Sequence, residues 1–421
     1  MRIAYWCADF GIPLPGTAGG SIHIQETMFA LRRLGHAVRI FSPACRLEGL
    51  NGPWGGIQPL PLEGPVRDAI EAMRDEGALP DHLISEWRAL LYAEYAQRVL
   101  APLLTAFQPD VLYERYSLFS YAGMEVARRL GIPHLLEVNA PLVQEQARYR
   151  KLVLRHTAEE MEKKVFLGAA ALLVVSKALA DYAMTLGVEE ERVHVHPNGV
   201  DPDLFRPDVS GGEARAQHHL EGKRVVGFVG SQRPWHDMEC LLRAVGLLAE
   251  GGLGVQLLVV GRGPWEESVR QGAAQDVTFA GAVEHRQVPQ LMAAMDVVVV
   301  PYPAEEDVYY SPLKLFEAMA MGKLVVGARV GQVAEVLAHG QNGLLYEPGN
   351  HLDLAEKLRE VMQRPDLAAG LGASARRDIV ANYTWEQNAR RIIGVAESLL
   401  RTGTGEGHEI PSGMTSREAS L

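Results

Sequence analysis

Cysteine and long apolar runs are scarce in this sequence, and each absence excludes a class of protein. Its 421 residues include three cysteines, Cys7, Cys45 and Cys240. They are far apart and odd in number, which argues against a disulfide framework or a clustered zinc site and favours a reducing compartment. No apolar run reaches the roughly 18–20 residues of a membrane span. The N-terminus lacks the apolar stretch and cleavage site of a signal peptide, so we expect none.

An excess of positive charge is also missing. The formal net charge is −11 at pH 7, which disfavours bulk nucleic-acid binding. Hydrophobic residues make up 47% of the chain, enough for sizeable cores. The length suggests two domains and a possible tail. The last residues, 401–421, are rich in Gly, Ser, Thr and Glu, and we expect them to be disordered.

Strand-like and helix-like segments alternate along the first half, which is the α/β pattern of a parallel sheet. The candidate strands are Ile3–Cys7, Ala37–Phe41, Val111–Glu114, His134–Val138, Ala171–Val175 and Val193–His196. The candidate helices between them are Ile22–Leu34, Ser120–Leu130 and Gln144–Leu167.

A second series of the same kind follows the linker-like segment Pro207–Gly212. It contains the helix Met238–Leu248 and the strands Val225–Val229, Val255–Val260, Val277–Ala280, Val297–Val300, Leu324–Val326 and Gly343–Tyr346. Two such series predict two Rossmann-like domains that face each other, with the ligand in the cleft between them.

The segment from Tyr309 to Gly322 is the most informative part of the chain. It follows the four valines Val297–Val300, which read as a buried parallel strand. Ser311 and Pro312 are signals for a helix start, and Gly322 is placed to end the helix. A helix N-terminus at the carboxyl end of a strand binds phosphate through backbone N–H groups. The apolar neighbours of Glu317 predict a buried carboxylate, which needs hydrogen-bond partners such as a sugar hydroxyl.

Two further strand ends carry glycine-rich turns. The segment 16–26 opens the first helix, and its spacing differs from the dinucleotide pattern GxGxxG. The segment 230–237 follows a strand and contains Arg233 and His236, either of which suits a diphosphate. The turns at Gly261–Pro264 and Gly327–Glu335 are weaker signals of the same type.

A basic segment, Gln146–His156, has two interpretations. It is either a solvated helix face, which we favour because three glutamates follow within 159–162, or a surface for anionic lipid or an acidic acceptor.

In this order the motifs resemble the retaining glycosyltransferases of family 4, which have the GT-B fold. The resemblance rests on Leu34-Gly-His-Ala-Val-Arg, Pro197-Asn-Gly-Val-Asp201, Ser311-Pro-Leu-Lys-Leu-Phe-Glu-Ala-Met-Ala, Asn342-Gly-Leu-Leu and Tyr383-Thr-Trp-Glu386. It runs from about residue 1 to 400 and implies an acceptor-side domain at 1–205, a donor-binding domain at 206–382 and a helix at 383–400 that crosses back.

The resemblance implies transfer of a hexose from a nucleotide diphosphate sugar, with retention of configuration and without a metal or other cofactor. We assign catalytic roles to Arg233, Lys314 and Glu317, and the resemblance places Glu317 on the nucleotide ribose. It assigns donor contacts to Gly19, Gly20, Gly230, His236, Gly261, Tyr309, Ser311, Pro312, Leu313 and Glu335, and acceptor-side positions to Glu114 and Asn139.

The sequence departs from the family pattern at three places. Tyr309 stands where the first glutamate of a glutamate pair is expected. Ser231 and His236 stand at the positions of an Arg and a Lys, and Asn139-Ala140 replaces a His-Asp pair. We therefore assign no general base, and we expect Arg233, Lys314 and the helix N-termini to stabilise the leaving diphosphate.

Several interpretations stay open from sequence. The acceptor is a sugar, a lipid-linked glycan or a small molecule, and the location is cytoplasmic, either free or peripheral at the membrane. The alternatives to a transferase are a nucleotide-sugar epimerase and a non-catalytic nucleotide-sugar-binding protein. A dehydrogenase is the least favoured.

Overall fold

The computed structural model describes residues 1–45, 55–77, 79–233, 235–266, 276–304 and 308–403. Its two parallel sheets confirm the predicted α/β architecture of two Rossmann-like lobes. The N-terminal lobe has the strand order β3-β2-β1-β4-β5-β6-β7. These strands are Arg2–Cys7, Ala37–Ser42, Ile57–Pro59, Val111–Arg115, His134–Val138, Ala171–Val174 and Val193–Val195, numbered β1 to β7 along the chain.

Seven helices accompany this sheet in the described part of the chain. They are Gly19–Arg33, Pro65–Asp75, Asp81–Phe107, Ala122–Leu130, Leu142–Tyr149, Arg155–Gly168 and Lys177–Thr185, numbered α1 to α7. The sheet is buried on both faces. One face packs on α1, and the other packs mainly on α3 and α4, where Trp6 and Tyr92 are fully buried.

The C-terminal lobe has the strand order β10-β9-β8-β11-β12-β13. Its strands β8 to β13 are Arg224–Val229, Val255–Val260, Val277–Gly281, Val297–Val300, Leu324–Ala328 and Leu344–Tyr346. The helices that follow α7 in the described residues are Gly212–Gln217, Met238–Glu250, Val288–Ala293, Leu313–Ala320, Gly331–Val336, His351–Gln363, Pro365–Asn382 and Trp385–Gly403, numbered α8 to α15. The predicted linker at 207–212 lies directly before and at the start of α8.

The last helix, α15, leaves the C-terminal lobe and packs against α1 of the N-terminal lobe. Trp385, Ala389, Ile392 and Ala396 of α15 belong to the same buried cluster as Ile24 and Met28 of α1. The helix continues to Gly403, so residues 401–403 are ordered, contrary to the expectation for 401–421. Residues 404–421 lie outside the described part.

The predicted helix Gln144–Leu167 is wrong. The segment forms two helices, α5 and α6, separated at 150–154. The carboxylate of Glu86, on α3, accepts hydrogen bonds from the backbone N–H groups of Val153 and Leu154 at 2.9 and 2.7 Å. This contact satisfies donors at the beginning of α6 and so supports a new helix start.

Of the helices that the structure describes, none combines the length and the apolar composition that crossing a bilayer requires.

Candidate active site

The two sheets each contain a point where the strand order reverses, at β1/β4 in the first lobe and β8/β11 in the second. Loops at the carboxyl ends of such strands form the usual ligand crevice of parallel α/β folds. Here they lead into α1 and α11. A Cβ built on Gly19, the first residue of α1, lies 3.8 Å from the Cδ1 atom of Leu313, the first residue of α11. The beginnings of these two helices therefore face each other across the cleft.

Neither of these helices is capped by the side chain of its N-cap residue, Ala18 or Pro312. The first backbone N–H groups of a helix have no intrahelical partner, and they carry the positive end of the helix dipole. Helix α11 begins at Leu313, one or two residues after the predicted start at Ser311–Pro312. The Ser311 hydroxyl accepts a hydrogen bond from Asn198 instead of capping the helix. Gly322 follows the end of this helix, as predicted, and has the left-handed conformation, with φ 65°.

Lys314 places a cation at this point. Its Nζ atom donates to Nε2 of His236 at 2.9 Å and lies 4.2 Å from the ring centroid of Phe228. Burial lowers the pKa of Lys314 to about 7, an effect that the charge of Glu317 only partly offsets. The Nδ1 atom of His236 donates to the Ser231 carbonyl at 2.7 Å. Burial, together with a smaller effect of the Lys314 charge, lowers the pKa of His236 to about 2, so this imidazole is neutral.

Two predicted glycines make room for this arrangement. Gly230 has φ 134°, and a Cβ at this position would lie 3.0 Å from Nζ of Lys314. Gly261 has φ 130°, and its Cβ would meet the carbonyl oxygen of Gly230 at 2.1 Å. Arg233 is exposed on the same strand-end loop, with its guanidinium 6.0 Å from the ring centroid of Trp235.

Glu317 is buried on α11, one turn after Leu313, and its Oε1 atom accepts a hydrogen bond from Nε2 of His285 at 2.8 Å. Burial would lower the pKa of His285, but Glu317, with Glu26 and Asp201, raises it above its usual value. A cavity of about 570 Å³ opens beside this pair between the lobes. Its lining includes Gly16, Glu26, Arg33, Asp201 and His285.

The N-terminal lobe contributes a buried network of charges centred on Glu137. Its carboxylate is 2.7 Å from Nη1 of Arg115 and 2.9 Å from Nε2 of His23, and it also accepts from Tyr113 and Asn139. Burial alone would raise the pKa of Glu137, but His23 and Arg115 together hold it well below the usual value. The guanidinium of Arg115 lies 3.6 Å from a Cβ built on Gly20, so it stands under the N-terminus of α1.

His23 is linked to the C-terminal lobe through Asn198. Its Nδ1 atom lies 2.7 Å from Oδ1 of Asn198, whose Nδ2 donates to the Ser311 carbonyl at 2.6 Å. The backbone N–H of Asn198 donates to the Ser311 hydroxyl at 2.8 Å. Ser311 is thus held by the first lobe.

Tyr309 is tied to the N-terminal lobe by both its backbone and its side chain. Its carbonyl accepts from the Ser176 hydroxyl at 2.9 Å, and its own hydroxyl donates to Oε2 of Glu145, on α5, at 2.7 Å. Tyr309, which stands where the family pattern has a glutamate, is therefore bonded to a glutamate of the opposite lobe.

Two predicted site residues lie elsewhere. Glu114 is fully buried behind the sheet, where it contacts His134 at 2.8 Å and the Ser120 hydroxyl at 3.0 Å. Strand alternation directs its neighbour Arg115 to the α1 side instead. Glu335 is exposed on α12. Burial of Tyr383, at the end of α14, raises the pKa of this tyrosine, and the charge of Glu335 raises it further. Neither carboxylate joins Lys314 and Glu317.

Five residues of the site escaped prediction from sequence: His23, Arg115, Glu137, Asn198 and His285. Arg115 and Glu137 had a usable signal, because charged residues near the ends of buried strands must face a partner. The others depend on contacts between distant segments. Among the described residues, no group of three His, Cys, Asp or Glu side chains is placed to hold a metal ion.

The two facing Rossmann-like lobes define the GT-B fold class. The structure is similar to that of Anabaena HepE in complex with UDP and glucose, with a TM-score of 0.71 at 19% identity, covering 94% of this chain and 100% of that one.

Sequence comparison then specifies the family. The profile "Glycosyltransferase Family 4" matches residues 17–204, and "Glycosyl transferases group 1" matches residues 223–364. The D-inositol 3-phosphate glycosyltransferase of Stackebrandtia nassauensis is 29% identical over 91% of this chain and 87% of its own length. A GDP-mannose-dependent alpha-mannosyltransferase of Mycobacterium tuberculosis is 26% identical over 95% and 97%. The chain belongs to the group 1 glycosyltransferases of family 4, and it is a glycosyltransferase.

Proposed function

We propose that this enzyme transfers a hexose from a nucleotide diphosphate sugar to an acceptor with retention of anomeric configuration. The observation that carries the proposal is the meeting of two helix N-termini, at Gly19 and Leu313, beside the cations Lys314 and Arg233. Such a place suits a diphosphate, because backbone N–H donors, dipoles and cations all act on the same anion. Glu317, one turn further along α11, suits a ribose diol.

In the proposed reaction, the bond between the anomeric carbon and the phosphate oxygen breaks as the acceptor hydroxyl forms its bond on the same face of the sugar. The hydroxyl proton passes to the departing phosphate oxygen. The role of Lys314 and Arg233 is to stabilise the negative charge that grows on the diphosphate. Lys314 is well placed for this, because an arriving diphosphate supplies the counter-charge that its buried ammonium lacks.

The comparisons support a nucleotide sugar as donor without deciding the base. One relative is described as GDP-mannose-dependent, and HepE was solved with UDP and glucose. The group common to these donors is the nucleoside diphosphate, which is the part that the described site suits. An inositol phosphate appears in the name of a third protein, consistent with a small polyol or sugar acceptor.

A thermal-shift screen across UDP, GDP and their hexose conjugates tests the donor. A nucleotide present at about 100 times its dissociation constant stabilises the folded state by about 2.7 kcal/mol. Transfer by the stabilising donor to a panel of sugars and polyols follows, with the anomeric configuration of the product read by proton NMR. Inversion of configuration would contradict the proposal, as would failure of every donor to bind.

We propose that no metal takes part, because Lys314, Arg233 and two helix N-termini are available to the diphosphate. Turnover should therefore be unchanged after dialysis against EDTA. Loss of turnover that Mg²⁺ or Mn²⁺ restores would disprove this point.

The Arg233→Ala variant provides a direct test of the phosphate role. We expect turnover to fall at least tenfold with little change in the free energy of unfolding, because Arg233 is exposed and a charge-assisted bond to the transition state is lost. Arg243→Ala is the matched control, since Arg243 is an exposed arginine on α9 that pairs with Glu239. Equal turnover in the two variants would remove Arg233 from the site.

No contact in the described structure favours the alternatives, a nucleotide-sugar epimerase and a non-catalytic nucleotide-sugar-binding protein. An incubation of enzyme with donor alone distinguishes them. Epimerisation of the sugar without an acceptor, or tight nucleotide binding with no turnover on any acceptor, would replace the transferase proposal.

We further propose, against the solvated-face interpretation of segment 146–156, that a basic surface brings the enzyme to an anionic membrane. Exposed basic residues lie where α5 ends and α6 begins: Arg148, Arg150, Lys151, Arg155 and His156. Clustered positive charge attracts anionic lipid. The expected result is co-flotation with vesicles that contain anionic phospholipid and not with neutral ones, and equal behaviour on both would contradict it.

A further inference from the structure

A group of aromatic side chains lies beside the proposed phosphate site, and the proposed contacts to the donor diphosphate do not use it. Trp235 is stacked on Tyr310 with ring centroids 5.7 Å apart and an interplanar angle of 19°. Tyr310 is stacked in turn on Tyr302 at 5.5 Å and 12°. Tyr149, from the opposite lobe, lies 5.6 Å from Trp235. We call these rings, with Tyr309, the aromatic cluster.

A carboxylate completes the cluster from the N-terminal lobe. Glu145 and Tyr149 are one helical turn apart on α5, so their side chains share a face of the helix. Glu145 accepts the hydroxyl of Tyr309 at 2.7 Å, and the ring of Tyr309 lies 4.3 Å from that of Tyr310. The contacts Glu145–Tyr309–Tyr310–Trp235–Tyr149 thus return to the same helix. Both lobes contribute to one continuous surface.

The composition of this surface is that of a carbohydrate site. Aromatic rings offer a flat apolar face with little rotational freedom, which suits the C–H face of a pyranose. A carboxylate accepts strong hydrogen bonds from hydroxyl groups. Tyr149, Trp235 and Tyr310 are half-buried, which leaves part of each ring accessible.

The position of the cluster places it beside the reacting sugars and away from the nucleotide. Arg233, the proposed phosphate ligand, lies 6.0 Å from the centroid of Trp235, which brings the cluster next to the departing group. The cavity beside Glu317 and His285, where the ribose is expected, has a different lining. Helix α5 begins three residues after Asn139, which follows the carboxyl end of β5.

We propose that the aromatic cluster and Glu145 bind the sugar ring of a pyranosyl acceptor. Trp235 is the platform for the ring, and Glu145 accepts a hydrogen bond from a ring hydroxyl. This inference rests on the proposed function, because an acceptor subsite requires a transferase.

Saturation-transfer NMR with methyl α-D-mannopyranoside and methyl α-D-glucopyranoside tests the subsite. The full-length enzyme is first loaded with UDP or GDP, whichever binds. We expect at least one glycoside to give a signal in the wild type. The signal should fall at least fivefold in Trp235→Leu and in Glu145→Gln, while Trp235→Phe retains more than half of it because an aromatic face is preserved. The nucleotide dissociation constant should stay within twofold in all three variants.

Trp87→Leu is the matched control, because Trp87 is a 41% exposed tryptophan on α3 of the N-terminal lobe and lies outside the cluster. It should leave the signal unchanged. Absence of any glycoside signal in nucleotide-loaded wild type would overturn the inference. A signal that survives Trp235→Leu and Glu145→Gln would do the same. In both cases a measurement of nucleotide binding distinguishes the subsite proposal from the donor proposal. If the nucleotide still binds, only the acceptor subsite is refuted. If no nucleotide binds, the proposed nucleotide-sugar donor is refuted as well.

Discussion

Lys314 is the residue whose charge depends most on what occupies the cleft. A buried ammonium without a full counter-charge is unfavourable, and burial accordingly lowers its pKa to about 7. A bound diphosphate favours the protonated form and raises that pKa. Above pH 7 the enzyme must therefore take up a proton when it binds the nucleotide, which weakens affinity by up to tenfold per pH unit.

We predict that the dissociation constant of UDP or GDP, measured by calorimetry, rises steadily between pH 7 and pH 9. The pH dependence should be flat in Lys314→Met, whose affinity is weaker throughout. His236 contributes nothing in this range, because its pKa is about 2 and it stays neutral. An unchanged slope in Lys314→Met would assign the titration to another group.

Glu317 should recognise the ribose. Removal of a charged hydrogen-bond partner costs about 1–3 kcal/mol, so we predict that Glu317→Ala weakens nucleotide binding by about this amount. The sharper readout is the preference for ribose over 2′-deoxyribose, which should be present in the wild type and absent in Glu317→Ala.

Glu335→Ala is the control for this prediction, because Glu335 is exposed and lies beside Tyr383. It should retain the wild-type affinity and the wild-type ribose preference. Equal discrimination between ribose and deoxyribose in Glu317→Ala and wild type would exclude Glu317 from the ribose site.

At the level of elements, the turn after β8 depends on a glycine. Gly230→Ala places a methyl group 3.0 Å from the Lys314 ammonium at φ 134°, a conformation that side chains rarely adopt. We predict a loss of about 1–3 kcal/mol in the free energy of unfolding and weaker nucleotide binding, because Lys314 must move. Urea denaturation and calorimetry measure the two effects.

The Gly252→Ala variant is the control that separates the effect of backbone strain from the effect of contact with Lys314. Gly252 also has a positive φ, 75°, but a Cβ there meets open space. This variant should lose some stability and keep the wild-type nucleotide affinity. Weak binding in both variants would show that stability, rather than the contact with Lys314, governs the effect.

The sequence predicted strands better than helix boundaries. The valine-rich strands β8, β9 and β11 were located because buried parallel strands are continuous apolar runs. The division between α5 and α6 was missed because no Pro or Gly marks it, and the capping carboxylate comes from Glu86, more than sixty residues earlier. The three-residue strand β3 is too short to show a period.

At the scale of the whole molecule, Asn198 joins the lobes. It contacts His23 at 2.7 Å and the Ser311 carbonyl at 2.6 Å, just before α11. We predict that Asn198→Ala lowers the free energy of unfolding by about 1–3 kcal/mol, because it leaves buried groups without partners. Hydrogen exchange in peptides covering 308–320 should accelerate and turnover should fall.

Asn382→Ala is the matched control, since Asn382 is exposed and its side chain donates to the Asp378 carbonyl within α14. It should leave exchange at 308–320 unchanged. If Asn198→Ala also leaves that exchange rate unchanged, the segment before α11 is held by other contacts.

From the sequence, only those residues of the candidate site that lie close together along the chain could be predicted to be neighbours. Lys314 and Glu317 share a short helix, so their proximity follows from helical spacing. The partners of Glu317 and Tyr309, which are His285 and Glu145, come from segments whose proximity only the folded chain establishes.

The return of α15 to the first lobe has a consequence for recombining such enzymes. The polypeptide enters the C-terminal lobe near residue 206 and leaves it near residue 383, and α15 then covers α1 with Trp385, Ala389, Ile392 and Ala396. A chimaera that exchanges this lobe for a homologue's must graft it as an internal cassette with two junctions. A head-to-tail fusion at a single junction would replace α15 by the homologue's last helix. The side chains of that helix would not match the surface of α1 against which they must pack.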